Sequence, residues 1–297
     1  MSMPFYVPPE QQMKDRADYA RRNIARGRPV IVLGYDNGIA FVAENASRSL
    51  HKISEIYDRI AFAAAGRYNE FENLRVAGVR YADLRGYSYD RSDVTARGLA
   101  NAYAQILGNV FTQDSKPMEV ELAVAQVGET PETDQIYRLT YDGSVADEQG
   151  FVVMGGQADA IATGMQERWR PGLTLSAALT LAVEMLSRDS GNGSGGNGTD
   201  TPGGRTLTSD RLEVAVLDRA RPRRAFRRLG GQLLEALLAP DDPTTDVPSS
   251  DDSRPGKHDT LTGEQAPETP VPPAPAPGDP VSSEPDQQPG HPEGEGA

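Results

Sequence analysis

The sequence predicts an α+β fold in which two antiparallel sheets lie face to face between two layers of helices. Three observations predict it. The segments Val30–Leu33 and Ile39–Ala43 are apolar at odd and even positions alike, as strands covered on both faces are. Strands arrive in pairs joined by short turns, Asp36-Asn37-Gly38 being the strongest hairpin signal, because Asn-Gly accepts the positive φ of a type I′ turn. Helical segments come in pairs between the strand blocks, which supplies each sheet with an outer cover.

The elements follow in order. Residues 2–8, SMPFYVP, form a short apolar arm bounded by prolines. A helix over 9–27 opens on Pro9 and stops at Gly27, with Met13, Ala17, Ala20 and Ile24 as a narrow apolar stripe. After the first hairpin, Lys52–Tyr57 and Arg59–Ala65 form a second pair that ends at Gly66. Tyr68–Arg75 is a helix with Phe71 and Leu74 inward. A longer one runs from about Asp90 to Phe111, capped by Asp90 or Ser92 and buried along Leu99, Tyr103, Ile106 and Val110. Strands Glu119–Val127, Gln135–Tyr141 and Phe151–Met154 make the second block, and Asp142-Gly143 marks a turn. Helices Ala158–Arg168 and Thr174–Ser187 precede a glycine-rich linker, 190–204. Strand Leu212–Leu217 and a helix over Arg223–Leu238, with Phe226, Leu229, Leu233 and Leu237 on one stripe, close the body.

Charge separates the body from the tail. Residues 241–297 hold 13 of the 43 acidic residues, 2 of the 30 basic ones and 13 of the 23 prolines. Residues 1–240 are left with 30 acidic and 28 basic side chains, a net of −2. A near-neutral body argues against a nucleic-acid-binding face. The tail has almost nothing large and apolar to bury, so its composition reads as disordered. The domain reading is an arm over 1–8, a single domain over 9–238 and an acidic, proline-rich tail over 239–297. The sequence has no cysteine and three histidines, His51, His258 and His291. Thiol chemistry is excluded, and neither a histidine triad nor a histidine-rich metal site is expected. No cofactor is expected. With no apolar run of membrane-spanning length and no secretory leader at the start, the expected location is the cytoplasm.

The segments FVAENASRSLHKISEIYDRIAFAAAGRYNEFENLR, RGYSYDRSDVTARGLANAYAQILG, FVVMGG and LEVAVLDRARPRRAFRRL closely resemble the proteasome α subunits of actinobacteria, from about residue 1 to about 238. That resemblance implies the four-layer αββα sandwich of the N-terminal nucleophile hydrolases. It implies seven-membered outer rings that cap catalytic β rings. In the β relatives an N-terminal threonine opens the first strand and its own amine helps activate its hydroxyl. Here the matching position is Arg28-Pro29, which implies a subunit without catalytic residues. The partners implied are the β subunit, further copies of this chain, a hexameric AAA+ ATPase, ATP-independent activators, and substrates tagged with the ubiquitin-like protein Pup.

The same resemblance implies the candidate sites. Lys52 would receive the C-terminal carboxylate of an activator at a seam between α subunits; an ammonium suits that task. Ser2, Met3, Pro4, Phe5, Tyr6, Val7 and Pro8 would gate the axial pore. Gln113, Asp114, Ser115 and Lys116 occupy the turn that narrows the pore in archaeal relatives, although this turn is shorter and lacks their glycine pair. The residues themselves suggest three more tests. Strand alternation puts Glu55 and Tyr57 on one face and Asp58 on the other, so no carboxylate pair is expected. Met154-Gly155-Gly156 reads as a close helix–strand approach. Arg221–Arg228 is a dense basic cluster at a helix N-terminus, where the macrodipole disfavours it; salt bridges are expected to compensate. The rival readings are a purely structural ring protein and a hydrolase using an internal hydroxyl with a lysine base.

Overall fold

Residues 30–44 fold into the hairpin that the apolar run demands. In the computed structural model, strand β1 (Val30–Tyr35) pairs antiparallel with β2 (Gly38–Glu44), Val30 opposite Ala43 and Tyr35 opposite Gly38. The structure describes residues 8–47, 49–189 and 207–239. The arm up to Val7, the glycine-rich linker and the tail from Pro240 on lie outside the described residues. The turn is not type I′. Its two residues are Asp36 and Asn37, and neither has positive φ, which falls instead on Gly38. The Asp36 carboxylate accepts the Asn37 N–H at 2.7 Å, and the Asn37 side chain donates to Asp218. These bonds hold the turn without a left-handed pair.

Ten strands and six α-helices are present among the described residues. The remaining strands are β3 (Ile53–Tyr57), β4 (Ile60–Gly66), β5 (Val120–Gln126), β6 (Gln135–Leu139), β7 (Val145–Asp147), β8 (Phe151–Met154), β9 (Leu212–Asp218) and β10 (Phe226–Leu229). The helices are α1 (Pro9–Ile24), α2 (Tyr68–Ser88), α3 (Ala96–Gln113), α4 (Ala158–Arg168), α5 (Leu175–Asp189) and α6 (Gly231–Leu238). One five-stranded sheet has the order β10-β9-β2-β1-β8, the other β3-β4-β5-β6-β7, and every pairing is antiparallel.

Side-chain alternation along these strands builds three cores. Val30, Val32, Ile39 and Phe41 of the first sheet meet Ile53, Ala61, Ala63 and Ala123 of the second between the sheets. Ile31, Leu33, Ala40 and Val42 point the other way, into α4 and α5 through Ile161, Met165, Leu179 and Ala182. Phe62, Leu122 and Val124 point out of the second sheet into α2 and α3, against Phe71, Leu74, Leu99 and Tyr103. The order is helices, sheet, sheet, helices: the four-layer sandwich. Helix α1 lies outside this stack, where Ala20 and Ile24 pack on Tyr141 and Phe111. No described helix is long and apolar enough to cross a membrane.

Four expectations are corrected. The first helix after β4 is longer than Tyr68–Arg75, because α2 continues through Gly78 and Gly86 to Ser88. Glycine weakens a helix, but here the missing side chains admit tyrosines. A Cβ on Gly78 would sit 1.8 Å from the Tyr103 hydroxyl, and one on Gly86 2.3 Å from that of Tyr57. The next helix starts at Ala96 with Thr95 as cap, while Asp90 caps a separate turn of 3₁₀ helix over Arg91–Asp93. A bulge between Glu55 and Tyr57 breaks the alternation assumed for that strand, so Tyr57 packs on the outer core with Ile56. The last helix does not begin at Arg223: Phe226–Leu229 is strand β10, paired with β9. Phe226 packs toward the inter-sheet core and Leu229 toward the outer one, opposite faces as a strand requires of residues three apart.

Candidate functional site

Charged side chains gather at the start of β1, and a buried glutamate organises them. Glu213, on β9, is an acidic residue inside an otherwise apolar strand and is only 8 % exposed. Its carboxylate accepts from the backbone N–H groups of Lys52 and Ile53 at 2.9 and 3.1 Å. It also accepts from Asn45 at 2.7 Å and from Arg228 of β10 at 2.8 Å. Arg228 reaches on to the Ile53 carbonyl, and His51 Nδ1 lies 3.3 Å from the same carboxylate. A buried carboxylate needs such a shell of donors. The result is that Asn45 and the residues His51–Ile53 are tied to the first sheet.

Lys52 is thereby fixed at the opening of the first strand. Its Nζ donates to the Arg28 carbonyl at 2.9 Å. The Arg28 guanidinium sits 3.2 Å from the buried carboxylate of Glu44 at the end of β2. Burial first, and the Arg28 charge second, lower the Lys52 pKa to about 8 against the opposing pull of Glu213 and Glu44. The glycine pair after β8 packs against the backbone just ahead of β1, one residue before the carbonyl that Lys52 uses. The Gly156 N–H donates to the Gly27 carbonyl at 2.8 Å, and a Cβ on Gly156 would come within 2.6 Å of that oxygen. The pair is a close approach, as read from the sequence. Pro29, which immediately precedes β1, carries no hydroxyl, thiol or free amine.

The loop after α3 is built differently. Gln113 ends the helix, Asp114 closes it through its N–H to the Val110 carbonyl, and both Asp114 and Ser115 are exposed. Lys116 turns inward, 2.6 Å from Glu70 and 2.9 Å from Glu119. Glu119 also accepts from Tyr19 of α1 and pairs with Arg67. Burial opposes the charge on Lys116, yet its bonds to Glu70 and Glu119 outweigh that and hold its pKa above the ordinary value.

Residues 24–198 match the family described as "Proteasome subunit". The chain belongs to the proteasome subunit family. Within it, the chain is 70% identical over 239 residues to "Proteasome subunit alpha" of Kineococcus radiotolerans, covering 80% of this chain and 99% of that protein. It is 70% identical over 239 residues to the protein of the same name in Sanguibacter keddieii, covering 80% and 90%. For Thermomonospora curvata the figures are 62% over 239 residues, covering 80% and 99%.

As a proteasome family member, the chain brings some expected residues together and leaves others apart. Lys52 joins one cluster and Lys116 another, while Gln113, Asp114 and Ser115 are exposed. Ser2, Met3, Pro4, Phe5, Tyr6 and Val7 lie outside the described residues, while Pro8 is exposed at the cap of α1, its carbonyl accepting the Gln12 N–H. The basic cluster is not at a helix N-terminus but in the β9–β10 hairpin, and acids of the fold compensate it. Arg224 binds Glu55 and Arg228 binds Glu213. Glu55 is thus taken by Arg224 and Asp58 by Arg91, so the two do not form a carboxylate pair. Sequence reading missed Glu213, Glu44 and Arg28. The available signal was an acidic residue standing in each of two apolar strands, LEVAVLD and GIAFVAE.

Proposed function

We propose that this chain is a non-catalytic α subunit of a 20S-type proteasome core, that it forms seven-membered outer rings on catalytic β rings, and that it docks a ring-shaped ATPase which delivers Pup-tagged proteins. The observation that carries this reading is the start of β1. The position that would bear the nucleophile in a catalytic relative falls at Arg28-Pro29, and the nearby Lys52 spends its hydrogen bond on the Arg28 main-chain carbonyl. A hydrolase of the N-terminal nucleophile type would need a hydroxyl or thiol there instead. Lys52, half-buried and held among fixed charges, is suited to receive a terminal carboxylate, and the names of the relatives favour the α role. In this reading residues 2–8 gate the pore, and the exposed Asp114 and Ser115 face it while Lys116 braces the turn from behind. Hydrolysis belongs to the β subunit, and ATP chemistry to the ATPase.

The test is peptide hydrolysis by the co-purified α/β complex, with full-length α and with α lacking residues 2–8. Truncation is expected to raise the rate, more for long peptides than for short ones. An intact complex with unchanged rates would remove the gate and leave a scaffold.

A further inference from the structure

Arg28 acts twice at the candidate site. Its carbonyl holds the Lys52 ammonium at 2.9 Å. Its side chain, 48 % exposed, is steered by a carboxylate that is only 6 % exposed, that of Glu44. An exposed cation aimed by a buried anion is pre-oriented rather than free to wander. Among the described residues, the charged groups that act on Lys52 are Arg28, Glu44 and Glu213, and Glu213 also meets His51 and Arg228. Among the described residues, the cations Lys52, Arg28 and Arg228 outnumber the anions Glu44 and Glu213 here, which favours an incoming anion. Such a site is completed by one carboxylate. A carboxylate has two oxygens, and Lys52 is a point charge suited to one of them; a guanidinium offers a planar set of donors suited to the other.

We infer that Arg28 is the second cation of this site, binding a peptide's C-terminal carboxylate together with Lys52 and setting the preference for a free carboxylate over a neutral end. This rests on the docking role proposed for Lys52. It assigns to Arg28 a ligand contact in addition to its structural bond to Glu44.

The probe is a fluorescent heptapeptide in two forms, with a free C-terminal carboxylate and with a C-terminal amide. Binding of each is measured by anisotropy on the assembled α/β complex carrying wild-type α, Lys52→Ala, Arg28→Gln or Arg28→Lys. Arg28→Gln is expected to weaken the free-acid peptide about tenfold and to leave the amide unchanged. Arg28→Lys keeps the charge facing Glu44 but loses the planar donor set, and is expected to weaken the acid on the order of threefold. If Lys52→Ala erases the acid-over-amide preference while Arg28→Gln preserves it, Arg28 is not a ligand contact and the docking role of Lys52 stands. If Lys52→Ala leaves the preference intact, the docking role itself fails. Should the Gln variant not assemble, Arg28→Lys carries the test, and a preference equal to wild type overturns the inference.

Discussion

Lys52 and Lys116 stand at the ends of two different loops, and both are drawn into clusters with buried glutamates, yet the clusters have opposite character. Lys116 is saturated. Two carboxylates take its ammonium, and its pKa rises. Lys52 is not, because the nearest glutamate, Glu213, gives its oxygens to backbone N–H groups and to Arg228, leaving the ammonium a main-chain carbonyl and a neighbouring arginine. Its pKa falls to about 8. A lysine satisfied by the fold's own acids braces structure. One held in place without a carboxylate of its own has room for an anion from outside.

The largest expected effect breaks the frame that makes this difference. Glu213→Ala leaves Arg228 and two backbone donors at the start of β3 without their acceptor. It is expected to cost about 3–5 kcal/mol, the scale for removing one partner of a buried charged pair, read as the midpoint shift in denaturant unfolding. A loss below about 1 kcal/mol would mean that Glu213 does not organise the site.

Next in size is the contrast between the lysines. Lys116→Ala takes one charged partner from each of Glu70 and Glu119, whose side chains are 14% and 10% exposed, and should cost about 1–3 kcal/mol of stability. Lys52→Ala removes no carboxylate's only partner and should change stability by less than about 0.5 kcal/mol. Equal losses in the two variants, measured side by side in urea, would erase the distinction drawn here.

The smallest effect is in pH. Lys52 is charged below about 8 and neutral above it, so affinity for a carboxylate peptide should fall about tenfold between pH 7 and 9 as the ammonium loses its proton. The Lys116 brace has the other sign and another window. Burial raises the pKa of Glu119, but hydrogen bonds from Lys116 and Tyr19 outweigh it and bring the net value below the ordinary 4.5. Its contribution to stability is complete above pH 4.5 and is lost as pH falls through the lowered value. A flat affinity across pH 7–9, or a brace that weakens in that range, contradicts the assignment.

Much of the fold was legible because it is written in local pattern. The two-parity apolar runs of β1 and β2 call for cover on both faces, and Ala158–Arg168 was bounded to the residue. Failures came where a distant residue decides a local one. The helix read as Tyr68–Arg75 runs on through Gly78 and Gly86, where Tyr103 and Tyr57 need the space. Arg223–Leu238 carries an apolar stripe that fits a helix, yet the open edge of β9 claims Phe226–Leu229 as a strand. Of the site, Lys52 was named through family resemblance and not through its own pattern, since one lysine at a strand end is ordinary. Arg28, Glu44 and Glu213 lie up to 185 residues apart in the chain, and only the sheet pairing β1-β2-β9 brings them to one place.

We propose that the opening of β1 holds a docking lysine close to where a catalytic relative would hold a nucleophile. The most direct test is peptide binding to the assembled α/β complex, comparing wild-type α with Lys52→Ala at pH 7, with free-acid and amidated peptides that copy the C-terminus of a ring ATPase. The account predicts that wild type prefers the free acid by at least about tenfold and that Lys52→Ala binds both forms equally and weakly. An undiminished preference in Lys52→Ala would contradict it.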